Sequence, residues 1–186
     1  MRQLFRITFL LCTLIFISGC TMTSPQYQPD FSVTNDLKDA DLQQVSVGDF
    51  SSAKESVDRI SIRGSTMISI FGGSYSEYLE HALVEQLRQA AIYREGAPIV
   101  ITGTLLNNDF DGSGVSIGES NIAANFVVVK DGKQVYSKDH SIHHEWTSSF
   151  LGAVAIPNAQ KNYPIAVQKL ITEFLTDPEF ISLAKS

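Results

Sequence analysis

The dipeptide Asp131-Gly132 constrains the fold more strongly than any other feature of this sequence. It separates two long runs, 115–130 and 133–146, both rich in residues that favour extended backbone. Asp-Gly between such runs is the strongest short-range signal for a β-hairpin, because both residues of its tight turn adopt positive φ. We therefore predict a long antiparallel hairpin centred on this turn.

The apolar residues on the two sides of the turn set the predicted register of the hairpin. A two-residue turn would place Val128 opposite Val135 and Val127 opposite Tyr136. Apolar residues then face each other across the two strands, which stabilises the pairing.

Two helices, one in the middle of the chain and one near its C-terminus, are predicted from capping residues and apolar spacing. Ser74 and Glu77 match a capping box, and apolar residues follow at three- and four-residue intervals until about Tyr93. The second helix is predicted to begin near Pro164, where proline suits the first turn, and to stop at Asp177-Pro178.

Further strands complete the predicted fold. They are expected over residues 42–50, 59–63, 66–71 and 98–106, where apolar or β-branched residues alternate or cluster. We predict an α+β fold with two layers. A mostly antiparallel sheet of four to five strands would carry two amphipathic helices packed on one face.

The N-terminus has the layout of a signal peptide. Arg2 and Arg6 precede an apolar run of about 11 residues that ends in the small residues Ser18 and Gly19. A helix needs roughly 20 residues to cross the hydrocarbon core, so a retained transmembrane anchor is disfavoured. Residues 1–19 are predicted to be a cleaved leader.

The segment Ile17-Ser18-Gly19-Cys20 resembles the lipobox of bacterial lipoproteins. The resemblance implies that Cys20 is acylated, becomes the mature N-terminus and holds the chain on a membrane. Thr21 follows, rather than the aspartate typical of retention at the inner membrane, so the resemblance implies the outer membrane, on its periplasmic face. The alternative is an ordinary signal peptide with a chance cysteine.

The predicted mature chain divides into a linker and one domain. Residues 20–41 are rich in Ser, Thr, Pro, Gln, Asn and Asp, which is typical of a flexible tether. Residues 42–186 are long enough for a single globular domain. Both cysteines, Cys12 and Cys20, precede that domain, so it cannot contain a disulfide.

The charge of the mature chain excludes one class of partner. Without Arg2 and Arg6 the 14 basic residues become 12, against 20 acidic residues, a net charge of −8. A basic surface for nucleic acid is therefore not expected, and anionic headgroups would repel the chain.

We predict no catalytic site, no cofactor and no metal site; His140, His143 and His144 are the residues that suggest a metal site. His140 and His144 point to one side of their strand, while His143 and Glu145 point to the other, so these residues do not converge as metal ligands. The sequence of segment 114–118 matches the Gly-x-Ser-x-Gly pattern of a hydrolase nucleophile elbow. An extended run follows it, however, whereas the elbow needs a helix there.

Apolar residues outside the predicted core are candidates for contact with a partner protein or lipid. The candidates are Met67, Ile70, Phe71, Phe150, Leu151, Val154 and Ile156. The alternative interpretation of residues 150–156 is a loop that folds over the end of the core.

The order of elements from Gly64 to Ala184 resembles that of small outer-membrane lipoproteins of the YajG type. It is also similar to the auxiliary lipoproteins of envelope transport systems and the TolB amino-terminal domain. The resemblance implies a non-enzymatic envelope lipoprotein that binds another protein. The rival hypothesis is a periplasmic lipoprotein that carries a small ligand or lipid in a cavity.

Overall fold

The computed structural model of the chain describes residues 21–185, which form two layers of helices and open sheets. Four helices and two sheets, of three and four strands, confirm the predicted α+β class. The strands are β1 Thr21–Thr23, β2 Val45–Ser52, β3 Ile60–Ile62, β4 Ser65–Ile68, β5 Ile99–Asp111, β6 Ile117–Lys130 and β7 Lys133–Thr147; the helices are α1 Phe31–Asp39, α2 Tyr75–Gln89, α3 Gly152–Leu175 and α4 Pro178–Ala184.

The four-stranded sheet has the order β2-β5-β6-β7 and is mostly antiparallel, as predicted. Strands β5, β6 and β7 pair antiparallel, whereas β2 pairs parallel with β5. The chain between β2 and β5 includes helix α2, and such a crossover connection is what a parallel pair requires.

The predicted hairpin is present, but its register differs from the prediction by one residue. Asp131 and Gly132 adopt φ values of 52° and 76° in the turn. Val128 pairs with Tyr136 rather than Val135, and the register shifts between Val128 and Val129. Val135 is the extra residue of this β-bulge, and counting residues from the turn does not reveal such an insertion.

The smaller sheet has the order β1-β4-β3 and includes a strand that the sequence does not predict. β3 and β4 pair antiparallel around a turn at Arg63 and Gly64. β1 pairs parallel with β4, so that Thr21 lies opposite Thr66. The start of β1 is therefore beside the β3–β4 turn.

The segment predicted to be a flexible tether, residues 20–41, packs against the domain from Thr21 onward. Asp30 caps helix α1 by accepting a hydrogen bond from the amide of Ser32. Val33 and Leu37, one helical turn apart, are buried. These two apolar side chains on one helix face contribute to docking, although the segment as a whole is polar. Cys20 and the predicted leader, 1–19, lie outside the described residues.

Helix α3 begins at Gly152, twelve residues before the predicted start at Pro164. Pro157 and Pro164 both lie inside the helix. Proline lacks the amide that would bond the carbonyl four residues earlier, so sequence rules place it at the start of a helix. Burial of Ala155 and Ala159 against the domain extends the helix past this local preference.

The core fills the space between the helices and the four-stranded sheet. α2 packs over β2 and β5, and α3 packs over β6 and β7. Phe126 stacks on Phe174 with 4.2 Å between ring centroids, and Tyr163 contacts Tyr75 and Tyr78 edge to face. None of the helices within residues 21–185 combines the length and apolar character needed to cross a bilayer.

Candidate functional site

Exposed apolar side chains concentrate at one end of the domain, where β6 begins and β7 ends. The exposed fractions are 76% for Phe150, 62% for Leu151 and 65% for Val115. We call this surface the end patch, and it consists of Val115, Ile117, Phe150, Leu151 and Val154. Clustered apolar exposure of this kind marks a contact surface more often than a packing accident.

Arg63 fixes the two loops that carry most of the end patch. Its Nη1 donates to the carbonyl of Phe150 at 2.9 Å, and its Nη2 donates to the carbonyls of Ser149 at 2.6 Å and Gly114 at 2.8 Å. The Nε donates to the carbonyl of Gly112 at 2.9 Å. A guanidinium group can hold several carbonyls at once because its donors form a fixed fork.

The structure separates the contact residues predicted from sequence into two groups. Phe150, Leu151 and Val154 are exposed in the end patch, and Ile70 is 40% exposed beyond the end of β4. Met67 is an incorrect candidate, since its side chain is fully buried on the core side of β4.

Phe71 and Ile156 are largely committed to packing inside the domain. The Phe71 ring stacks on His81 at 3.9 Å and contacts Tyr78 edge to face. Ile156 is half-buried against the core on the first turns of α3. The helical start at Gly152 explains the difference between Ile156 and Val154, because successive residues of a helix face different sides.

Strand β7 forms one edge of the four-stranded sheet and presents a second candidate surface. It is 15 residues long, and within residues 21–185 no strand pairs with its other side. An open groove of about 450 Å³ lies between this strand and α3. Ser141, Ile142 and His143 line it from the strand, and Lys169, Thr172 and Glu173 line it from the helix.

His140 and His144 lie on the inner face of β7, as the alternation predicts, and both are buried. His144 accepts a hydrogen bond at Nδ1 from the Lys169 ammonium, at 2.9 Å, because an ammonium can only donate. Its Nε2 then donates to Oδ1 of Asn162 at 2.9 Å. Burial lowers the pKa of His144, and the nearby Lys169 charge lowers it further.

His140 belongs to a buried polar cluster at the start of helix α4. Its Nε2 lies 2.6 Å from the Tyr136 hydroxyl and 3.9 Å from Oδ2 of Asp177. Burial lowers the pKa of His140, although the Asp177 carboxylate opposes that shift. Burial also disfavours the charged form of Asp177, but hydrogen bonds from Lys138 and the Glu179 amide outweigh it and lower its pKa.

This cluster has a structural explanation. Asp177 caps helix α4 through the amide of Glu179, at 2.8 Å, and its other oxygen accepts from Lys138, at 2.6 Å. Tyr136, His140 and Asp177 do not line the groove between β7 and α3, nor the groove between β3 and β5 that Lys54, Arg59, Asn107 and Asp109 line. The arrangement holds β7 against the end of α3 and offers a substrate no access through either groove.

His143 lies on the outer face of β7 and meets different groups. Its Nε2 is 3.2 Å from Glu145, and Asn121 Oδ1 lies 3.0 Å from Nδ1. Glu119, directly opposite Glu145, brings a third ligand atom within 4.8 Å of the others. All three ligand-bearing side chains are exposed; the His143–Glu145 contact and the pairing of Glu119 with Glu145 across β6 and β7 account for their proximity. His140 and His144 do not join this group.

A second open groove of about 340 Å³ lies between β3 and β5. Lys54, Arg59, Asn107 and Asp109 contribute polar or charged groups to its wall. Both grooves therefore differ from the enclosed apolar cavity, filled by a ligand, that a carrier of lipids or small molecules would use. The segment 114–118 also lacks the helix that a nucleophile elbow needs, because β6 begins at Ile117.

No protein-family model matches this sequence, and no curated protein matches it significantly. A similar solved structure is that of protein XCC0632 from Xanthomonas campestris, of the DUF330 family. It is 15% identical, covers 88% of this chain and 96% of its own, and superposes with a TM-score of 0.61. At this identity the match establishes a shared fold.

Two more distant structures complete the comparison. A protein of Caulobacter crescentus CB15, provisionally described as a lipoprotein, is 12% identical over 82% of this chain and 96% of its own, with a TM-score of 0.47. A minor lipoprotein from Acinetobacter baumannii is also 12% identical over 74% and 91%, with a TM-score of 0.42.

Proposed function

We propose that this chain is a non-enzymatic lipoprotein of the bacterial envelope that acts as a protein-interaction or accessory module. Acyl chains on Cys20 would hold it on the periplasmic face of the outer membrane, with residues 1–19 removed. The lipobox pattern supports the anchor.

The observation that carries the interaction role is the long edge of β7 beside an open groove. Edge strands offer unpaired amides and carbonyls, so an extended peptide can add to the sheet there. The groove beside Ser141 to His143 gives such a peptide room, and Lys169 and Glu173 offer charged contacts along its length. The aromatic packing of the core, where Phe126 stacks on Phe174, favours this role over that of a ligand carrier.

The anchor is tested with a Cys20→Ala variant in cells. We expect the native protein to begin at an acylated Cys20 by intact mass and to fractionate with outer membranes. The variant should lose both properties. Unchanged membrane attachment of the variant, or residues 1–19 found intact in the native protein, would contradict the proposal.

The interaction role is tested by placing a photo-reactive amino acid at Ser141 in intact cells. The matched control carries the same amino acid at Thr102, on the outer face of the central strand β5. We expect one envelope protein, identified by mass spectrometry, to crosslink repeatedly from position 141 and not from position 102. Recovery of lipid alone, or of nothing, from position 141 would refute a partner at this edge.

A further inference from the structure

The end patch lies at the end of the domain where the chain enters it. β1 runs parallel to β4, and Thr21 at its start pairs with Thr66, three residues beyond Arg63. Neighbouring strands are about 4.8 Å apart, so Thr21 is close to the β3–β4 turn. The Arg63 side chain extends from that turn to the carbonyls of Ser149 and Phe150.

A second set of contacts places Thr21 beside the first turns of α3. Nε2 of Gln160 donates to the carbonyl of Thr23 at 2.6 Å. From Thr23 back to Thr21 the strand rises about 7 Å, and from Gln160 back to Val154 the helix rises about 9 Å. Both elements start at the same end of the molecule, so Thr21 lies near the level of Val154.

The two segments that carry the end patch contain no charged residue, although the Arg63 guanidinium bonds their carbonyls and Asp111, Glu119 and Glu145 adjoin them. Residues 112–118 and 146–160 contain no Asp, Glu, Lys or Arg, whereas 18% of the whole chain is charged. A surface that meets headgroups and acyl chains avoids charged groups because their desolvation is costly. The end patch is therefore better suited to a bilayer surface than the groove beside β7, which is lined by charged residues.

The start of helix α3 also departs from what stability alone would favour. Leu151, which is 62% exposed, occupies the N-cap position, and its side chain makes no capping hydrogen bond. A Ser, Thr, Asp or Asn at this position typically stabilises a helix by about 1 kcal/mol. Leu151 thus leaves this helix start without a side-chain cap and is itself exposed, a departure from local preference of the kind found at functional surfaces.

We propose that the end patch lies in the interfacial layer of the bilayer that holds the acyl chains of Cys20. The inference rests on the proposed lipid anchor, and one peptide bond joins Cys20 to Thr21. Phe150, Leu151 and Val154 enter the boundary between headgroups and acyl chains, as apolar faces of interfacial helices do. The patch and the acyl chains together fix the orientation of the domain.

The test uses the mature lipoprotein reconstituted in vesicles of phosphatidylethanolamine and phosphatidylglycerol. Acylation blocks the Cys20 thiol, and no other cysteine follows it, so Leu151→Cys provides a single site for a polarity-sensitive fluorophore. The matched control is Val135→Cys, an exposed apolar position near the other end of the hairpin. Lipids that carry a spin label near the headgroup serve as quenchers.

We expect a blue-shifted emission at position 151 and quenching at least about threefold stronger than at position 135, since interfacial side chains lie about 5–10 Å deep. Equally low quenching at both positions, in protein that is acylated and floats with the vesicles, would overturn the inference and leave the anchor intact. A chain that lacks acyl groups and fails to float would overturn the anchor and this inference together.

A second measurement distinguishes the bilayer from another copy of the chain. The chain from residue 20 onward, produced without the leader and its Cys12, carries Cys20→Ser and Leu151→Cys, is labelled at position 151 and is followed without vesicles as its concentration rises. We expect an unchanged emission spectrum. A blue shift that grows with protein concentration would mean that a second copy covers the end patch, and it would overturn the assignment to lipid.

Discussion

The side-chain amide of Gln86 forms hydrogen bonds with both the backbone amide and the backbone carbonyl of Asp30. Oε1 of Gln86 accepts from the Asp30 amide at 2.8 Å, and Nε2 donates to the Asp30 carbonyl at 3.0 Å. The same amide also accepts from the Tyr27 hydroxyl and donates to Oγ1 of Thr34. One buried residue of α2 thus fastens the segment that its composition identifies as a linker.

Gln86→Glu should loosen the N-terminal segment while the sheet stays folded. The carboxylate cannot donate to Asp30 or Thr34, and leaving buried groups unsatisfied costs about 2–3 kcal/mol in the free energy of unfolding. Hydrogen exchange should accelerate over residues 27–37 and remain slow in β5 and β6. The exposed Gln89→Glu is the control and should change neither measurement.

Arg63→Ala should release the loops that carry the end patch. Four carbonyls within 3.0 Å lose a charged donor, so we expect a loss of about 2 kcal/mol and faster exchange over residues 112–116 and 149–152. Arg63→Lys should restore little, because an ammonium lacks the planar fork. Arg59→Ala removes an exposed ion pair and should cost under about 0.5 kcal/mol; an equal loss would refute the account.

Gly103→Ala should destabilise the domain by about 1–3 kcal/mol through overpacking. A Cβ at this position would overlap the Phe50 ring, which contacts Phe126 edge to face in the core. Thr104→Ala, on the outer face of the same strand, should cost under about 0.5 kcal/mol. Denaturant titration of both variants measures the two losses of stability. Equal midpoints would contradict the prediction and would show that the Phe50 ring moves aside freely.

Mild acid should destabilise the domain through its two buried histidines. Their folded pKa values are lowered from 6.5, so the unfolded chain binds more protons as the pH falls below about 6.5. The stability that the neutral histidines contribute is fully present above that pH. It is lost progressively as the pH falls towards their lowered pKa values in the folded state. Unfolding free energies of the native chain and His144→Gln, measured from pH 7.5 to 5, should show a flatter profile for the variant.

Local signals in the sequence predict the elements whose contacts lie close along the chain. The Asp131-Gly132 turn and the Ser74 cap appear where they are expected, with the Ser74 hydroxyl accepting from the Glu77 amide. The shifted register, by contrast, arises from the bulge at Val135. A bulge depends on the twist and packing of both strands, which no single run of residues encodes.

The parts that the sequence does not predict depend on contacts between distant residues. β1 exists because Thr21 pairs with Thr66, and α1 docks because Gln86 holds Asp30. Gln86 itself would be placed off the apolar face of α2, yet it is 1% exposed. The end patch is predicted in part at Phe150, Leu151 and Val154, whereas Val115 and Ile117 join it only through the fold.

The hairpin of β6 and β7 is an arm of defined length. With 14 residues in β6, the turn at Asp131-Gly132 stands roughly 45 Å from the end where the chain enters the domain. Since the segment after Thr21 is packed rather than loose, that height is set by strand geometry and not by chain entropy. A domain attached in this way would present the β7 edge to partners at a fixed distance from its point of attachment.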